Sequence, residues 1–258
     1  IILGAGQVGL SMAEILSREN NDVTLVDAGD IDLGASTVSG TYAVTATAGG
    51  DITDSGVLAI TGTSTFRVAG GQSVILNESS TFATVTFTSP GTIASVEIND
   101  SNAFELQTLT ITRYLTVTAG GNITDSGTVT VGGNLAATTD ANNGVINLGT
   151  LAVDGTVALQ TNGSGNATID NGTKTLNIAA SSVGGNLTLT SGNASGITDS
   201  GTVTVGGNLA ATTDANNGLI NLGTLAVDGT VALTTNGNGA ATVVNDAGLN
   251  FATSTVGA

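Results

Sequence analysis

Residues 123–163, "ITDSGTVTVGGNLAATTDANNGVINLGTLAVDGTVALQTNG", decide the fold, because they return almost letter for letter at residues 197–237. Self-similarity at a fixed period marks a chain that stacks one structural unit on copies of itself. A more diverged copy of the landmark, "AGGDITDSG", ends at Gly56, nearly one such period before "AGGNITDSG" ends at Gly127. The modules therefore fall near 52–122, 123–196 and 197–258. The tail "LNFATSTVGA" echoes "LNIAASSVGG", so the chain is expected to stop part-way through another copy, within a longer parent protein.

A finer period lies inside the module, where Gly or Asp-Gly precedes a short strand. Taking Leu135, Val157, Leu187, Leu209 and Val231 as markers, the chain advances by the same step each time except from Val157 to Leu187, where the step is longer. The regular step is about 22 residues, and at about 3.3 Å per strand residue it closes one coil of three short strands. The longer step is expected to hold an inserted loop or a bulged coil. Alternation supports the coil: Val129 and Val131, Leu135 and Ala137, Ile146 and Leu148, Leu151 and Val153, and Val157 and Leu159 point one way at period 2. Thr, Asn and Ser fill the positions between, and "DSG", "ANNG", "VDG" and "TNG" supply turns whose residues tolerate positive φ. From residue 29 to 258 the pattern predicts an all-β, right-handed parallel β-solenoid of about ten coils. An antiparallel sandwich is the alternative, since short alternating strands suit both.

Composition narrows the function. The 258 residues contain 38 Gly, one Pro, no Cys, no His and no Trp, with 4 Lys plus Arg against 20 Asp plus Glu, a formal net charge of -16. Such a charge repels phosphate backbones and anionic headgroups, so nucleic acid is not an expected partner. No apolar run is long enough to cross a bilayer, and no membrane insertion is expected of this segment. Without thiol or imidazole the commonest nucleophiles, bases and metal ligands are missing. No catalytic residue, metal ligand or enzymatic activity is expected. Aspartates recur in "TDSG" at Asp54, Asp125 and Asp199 and in "VDG" at Asp154 and Asp228; they read as turn residues sooner than as a calcium array, because the glycine-rich calcium nonapeptide is absent.

The front of the chain speaks another language. "IILGAGQVGLSMAEILSRENNDVTLVD" gives a strand over 1–3, a glycine turn, a helical stripe of Val8, Met12, Ile15 and Leu16, and a second strand ending at Asp27. In a dinucleotide-binding fold Gly4 would permit the turn, Gly6 the approach of a pyrophosphate, Gly9 the packing of helix on strand, and Asp27 would hold the ribose hydroxyls. Residues 1–28 resemble the N-terminus of TrkA-type (RCK) regulatory subunits of bacterial potassium uptake. That resemblance implies an NAD-binding, cytoplasmic regulator. One strand–helix–strand unit is only a corner of such a site, and no second helical pattern follows Asp27. The fragment 1–28 is accordingly expected to hold no dinucleotide and to act at most as a cap, its helix near 8–18 covering the end of the solenoid domain at 29–258.

"GGNLTLTSG", "GGNITDSGTVTVGGNL" and "LAVDGTVAL" resemble the repeats of filamentous-haemagglutinin-like exoproteins and related large bacterial surface adhesins. The resemblance covers roughly 29–258 and implies a right-handed parallel β-helix exported to the cell surface. It implies a structural and adhesive role, with host or neighbouring-cell surface glycans or proteins as partners and no cofactor. The location it implies is extracellular or outer-membrane associated.

Overall fold

The structure is a computed structural model that describes residues 2–4 and 22–257. It is an all-β parallel solenoid of about 11 coils with a spacing of about 21 residues, and no helix occurs among the described residues. Stacked positions lie one coil apart in the chain, as in Val96 on Leu115 and Ile123 on Ile146. At ~4.8 Å per coil the rod is roughly 50 Å long. Every strand pairing is parallel, including Leu135 on Val157 and Leu209 on Val231, the two pairs that separate a solenoid from a sandwich.

Each coil has two walls of nearly equal length. One kind of wall is straight, a single strand such as Leu115–Ala119; the other is bent, two short strands such as Ile123–Asp125 and Val129–Val131 around a Gly-bearing corner. The reason is local. "LTVTA" alternates without interruption, whereas "ITDSGTVTV" interrupts its alternation with Asp-Ser-Gly. Inward positions form one continuous aliphatic core along the axis, and each of the inward residues named above is buried. At about 25 cal/mol per Å² of apolar surface, this column is the main source of stability. Burial depends on the coil above: Leu176 and Ile178 are fully covered, while their counterparts Leu249 and Phe251 in the last coil are 37% and 53% exposed.

The longer step is not an inserted loop. Between Val157 and Leu187 lies an additional straight wall, Ala167–Asp170, which stacks on the bent wall Ile146–Leu148, and Leu187 in turn stacks on Ala167, not on Val157. Two straight walls thus follow one another, and the phase slips by half a coil. The same slip occurs where 84–88 is followed by Val96–Asp100, and where 231–235 is followed by Ala241–Asn245. One module runs bent, straight, bent, straight, straight, bent, straight. That is an odd number of half-coils, so successive modules exchange walls. Ile123–Asp125 lies in the 8-stranded sheet and its copy Ile197–Asp199 in the 18-stranded one, while Leu135–Asn142 and its copy Leu209–Asn216 are placed the opposite way round. An identical sequence therefore packs equally well on either wall.

At the N-terminal end Ile2–Gly4 pairs in parallel with 24–26 of Val23–Asp27, and Val23–Asp27 pairs on its other side with Tyr42–Ala46. Val23 and Leu25 belong to the continuous core. The helix expected near 8–18, with its proposed capping role, lies outside the described residues.

Candidate functional site

Of the fingerprint residues, Gly4 closes the strand Ile2–Gly4, and Gly6 and Gly9 lie outside the described residues. Asp27 ends its strand half-buried, and its Oδ1 accepts the Gly29 N–H at 2.9 Å, closing a turn. Its carbonyl accepts the Thr47 N–H and the Thr47 hydroxyl. The next strand beside Asp27 is Tyr42–Ala46, reached through the short strands Ile31–Leu33 and Ser36–Val38 without a crossover helix. The described residues give the Asp27 carboxylate a turn to hold and set the solenoid strand Tyr42–Ala46 beside its own.

The "TDSG" aspartates clamp the following coil. Asp125 accepts the Gly149 N–H on Oδ1 and both the Thr150 N–H and hydroxyl on Oδ2, at 2.8–3.0 Å; Asp199 does the same with Gly223 and Thr224. Asp54 departs from this pattern. Its Oδ1 accepts the Asn77 and Glu78 N–H groups, but no threonine follows, and its Oδ2 is buried without a partner. Burial, with the nearby Glu78 charge adding, pushes its pKa up to about 6. Because the folded value lies above the unfolded one, the native state holds this proton more tightly, and stability falls as pH rises from about 4 to about 6. Asp54→Asn is expected to flatten that slope, worth at most roughly 3 kcal/mol, in urea melts across pH 4 to 7. An unchanged slope would show that Asp54 titrates as an exposed acid.

The three phase slips bring together the groups with the greatest chemical potential. At the second slip Asn171, fully buried, takes the place of a backbone partner: Val153 N–H donates to its Oδ1 at 2.8 Å, and its Nδ2 donates to the carbonyls of Val153 at 3.0 Å and Thr175 at 2.8 Å. At the third slip Asn245 repeats this with the Val227 N–H, the Val227 carbonyl and the Gly248 carbonyl. At the first slip the same place is held by Asp100. The Phe82 N–H donates to Asp100 Oδ1, which also accepts from Asn102, but a carboxylate has no N–H to return. Asp100 is 1% exposed, and burial raises its pKa.

The first slip is also looser. At the second, Thr156, Val157 and Gln160 pair with Asn177, Ile178 and Ser182, and the Ser181 hydroxyl accepts the Leu159 N–H. Among the described residues no such ladder joins 84–88 to Phe104–Leu106; a Thr86 to Gln107 side-chain bond of 3.1 Å bridges the walls instead. A cleft of about 140 Å³ opens there, lined by Phe82, Thr84, Asp100, Ala103, Phe104 and Glu105 among others. An aromatic cluster backs it: Phe66 meets Tyr42 and Phe82 edge-on and stacks on Phe87, with ring centroids 6.1–6.2 Å apart. Asp100 and this cleft escape a motif-based reading, because Asp100 lies outside every "TDSG" and "VDG". The available signal is compositional. Four of the five phenylalanines of an aromatic-poor chain fall between residues 66 and 104.

The fold defines a repeat protein, a parallel β-solenoid. The sequence matches the family of repeats of unknown function DUF5649 over residues 20–89, 94–149 and 164–222, and the chain belongs to that family. The matches begin at 20, 94 and 164, each just before a straight wall (Val23–Asp27, Val96–Asp100, Ala167–Asp170). The second and third starts coincide with phase slips. No curated protein and no solved structure matches the chain.

Proposed function

We propose that the chain is a structural and adhesive segment of a large secreted or surface-anchored exoprotein, a rod that spaces binding regions from the cell and offers a weak contact surface of its own. The exchange of walls between modules carries this reading. Copies such as Leu135–Asn142 and Leu209–Asn216 display the same outward Ala and Thr side chains and the same Asn-rich corner on opposite walls, so contact groups are distributed around a shaft rather than focused on one active face. Sparse charge suits an extended surface that must avoid indiscriminate binding. Surface glycans or proteins of a host or neighbouring cell are the partners proposed, and catalysis is not part of the role.

Antibody raised against the chain should label intact cells that produce the parent protein. Labelling only after permeabilisation would overturn the surface location. Deleting 123–196 in frame joins Asn122 to Ile197, which stands as Ile123 did, so the rod should stay folded and shorten by roughly 17 Å in small-angle scattering, three and a half coils at ~4.8 Å. Retention on host-cell or glycan-coated surfaces should then weaken in proportion to length; complete loss would indicate a single discrete site. The second reading, a nucleotide-binding regulator of potassium uptake, draws on the parallel pairing of Ile2–Gly4 with Val23–Asp27. A saturable micromolar NADH titration abolished by Gly6→Val would favour it.

A further inference from the structure

We propose that Asp100, with the carbonyls of Phe82 and Ala103, forms a binding site for a primary ammonium group at the first phase slip, a site independent of whether the rod is adhesive. The argument rests on comparing three equivalent junctions. Asn171 and Asn245 each place an Nδ2 where two carbonyls converge, that of the residue whose N–H they accept and that of a residue one or two positions before the next strand. Equivalence with these junctions assigns to Asp100 the carbonyl of Phe82, whose N–H it accepts, and that of Ala103, just before the strand Phe104–Leu106. Here no amide nitrogen is available. Both hydrogen bonds to Asp100 fall on Oδ1, which leaves Oδ2 and the two carbonyls as three acceptors at the edge of a cleft lined by Phe82, Asp100 and Ala103.

Three converging acceptors call for donors, and a neighbouring positive charge would keep ionised a carboxylate that burial alone drives toward its protonated form. A primary ammonium supplies both, with three N–H donors and one positive charge. Spacing favours nitrogen over a metal ion: in the sister junctions the amide nitrogen sits 2.8–3.5 Å from its carbonyls, whereas calcium needs oxygens at about 2.3–2.6 Å and more carboxylates than Asp100 and Glu105 provide. The cleft of about 140 Å³ has room for the ammonium and the first methylenes behind it. Glu105, exposed at its mouth, adds a second negative charge, and the net charge of -16 draws cations toward the chain. The ammonium could belong to a lysine side chain of a partner protein or to a small free amine.

The test uses the whole chain, with amide NMR shifts at Asn102, Ala103 and Glu105 as the readout. Nα-acetyl-lysine methylamide and methylammonium represent the two sources. Saturable shifts are expected with the lysine derivative, and with methylammonium as well if a free amine suffices. Asp100→Asn installs the sister residue, so it should fold at least as well as the parent while binding about tenfold or more weakly. Glu105→Gln, at an exposed position, should weaken binding about threefold. Tetramethylammonium carries the charge without N–H donors and should not compete. Equal affinity in Asp100→Asn, equal competition by tetramethylammonium, or saturation by calcium but by neither amine would each overturn the assignment.

Discussion

Val157→Asp should disrupt the coils on either side of residue 157 and lower stability by about 5 kcal/mol, with the equivalent Val231→Asp acting in the same direction nearer the open end. Val157 is fully buried, stacked between Leu135 of the preceding coil and Ile178 of the following one. A carboxylate at that point has no donor within the aliphatic column. It must remain ionised in an apolar core or take up a proton at the cost of several pKa units, each worth about 1.4 kcal/mol. Because a solenoid coil contacts only its neighbours, the loss should be graded along the axis. Amide exchange should accelerate most from Leu115–Ala119 to Leu187–Ser191 and least at Tyr42–Ala46. Unchanged protection in the flanking coils would show that Val157 is not part of the continuous core.

The inward face was legible in the sequence because burial on a β-wall repeats every second residue, and the inward positions from Val129 to Leu159 keep that rhythm along each strand. Coil length was equally plain in the equal steps from Leu135 to Val157, from Leu187 to Leu209 and from Leu209 to Val231. What periodicity did not reveal was the wall on which each segment lies. Straight and bent walls consume the chain at nearly the same rate, so "LAATTDAN" is the same sequence at 135–142 and at 209–216 although the two lie on different walls. Only the position of Ala167–Asp170 over Ile146–Leu148 separates an added half-coil from a loop. Asp100 was hidden for a related reason. Its neighbours in sequence are ordinary turn residues, and its character emerges only when the coil geometry sets it beside Asn171, its counterpart one module later, and shows the donors it lacks. The fingerprint at 4–9 was legible as a motif, yet a dinucleotide site depends on additional strands, and next to Asp27 the chain supplies a solenoid coil.

Gly196→Ala should lower stability by about 3 kcal/mol, while Gly149→Ala should change it by no more than about 0.5 kcal/mol. The contrast separates a glycine that the coil spacing requires from one that merely suits a turn. Gly196 has φ +69°, and a Cβ built there would run into the carbonyl oxygen of Leu219 in the next coil. The left-handed conformation alone costs an alanine about 1 kcal/mol. The clash falls on a carbonyl that cannot yield freely, since it accepts the Ile197 N–H at 2.8 Å. Gly196 is held in turn, its N–H donating to Asn193 and its carbonyl accepting from Leu176. Relieving the contact would thus strain bonds linking three successive coils, each worth about 1 kcal/mol. Gly149 has open space where its Cβ would go and no positive φ, and its N–H can still reach Asp125. Urea midpoints of the two variants provide the measurement. If both shift equally, close approach between coils is not what selects glycine at 196, and the substitutions act through the flexibility of the unfolded chain instead.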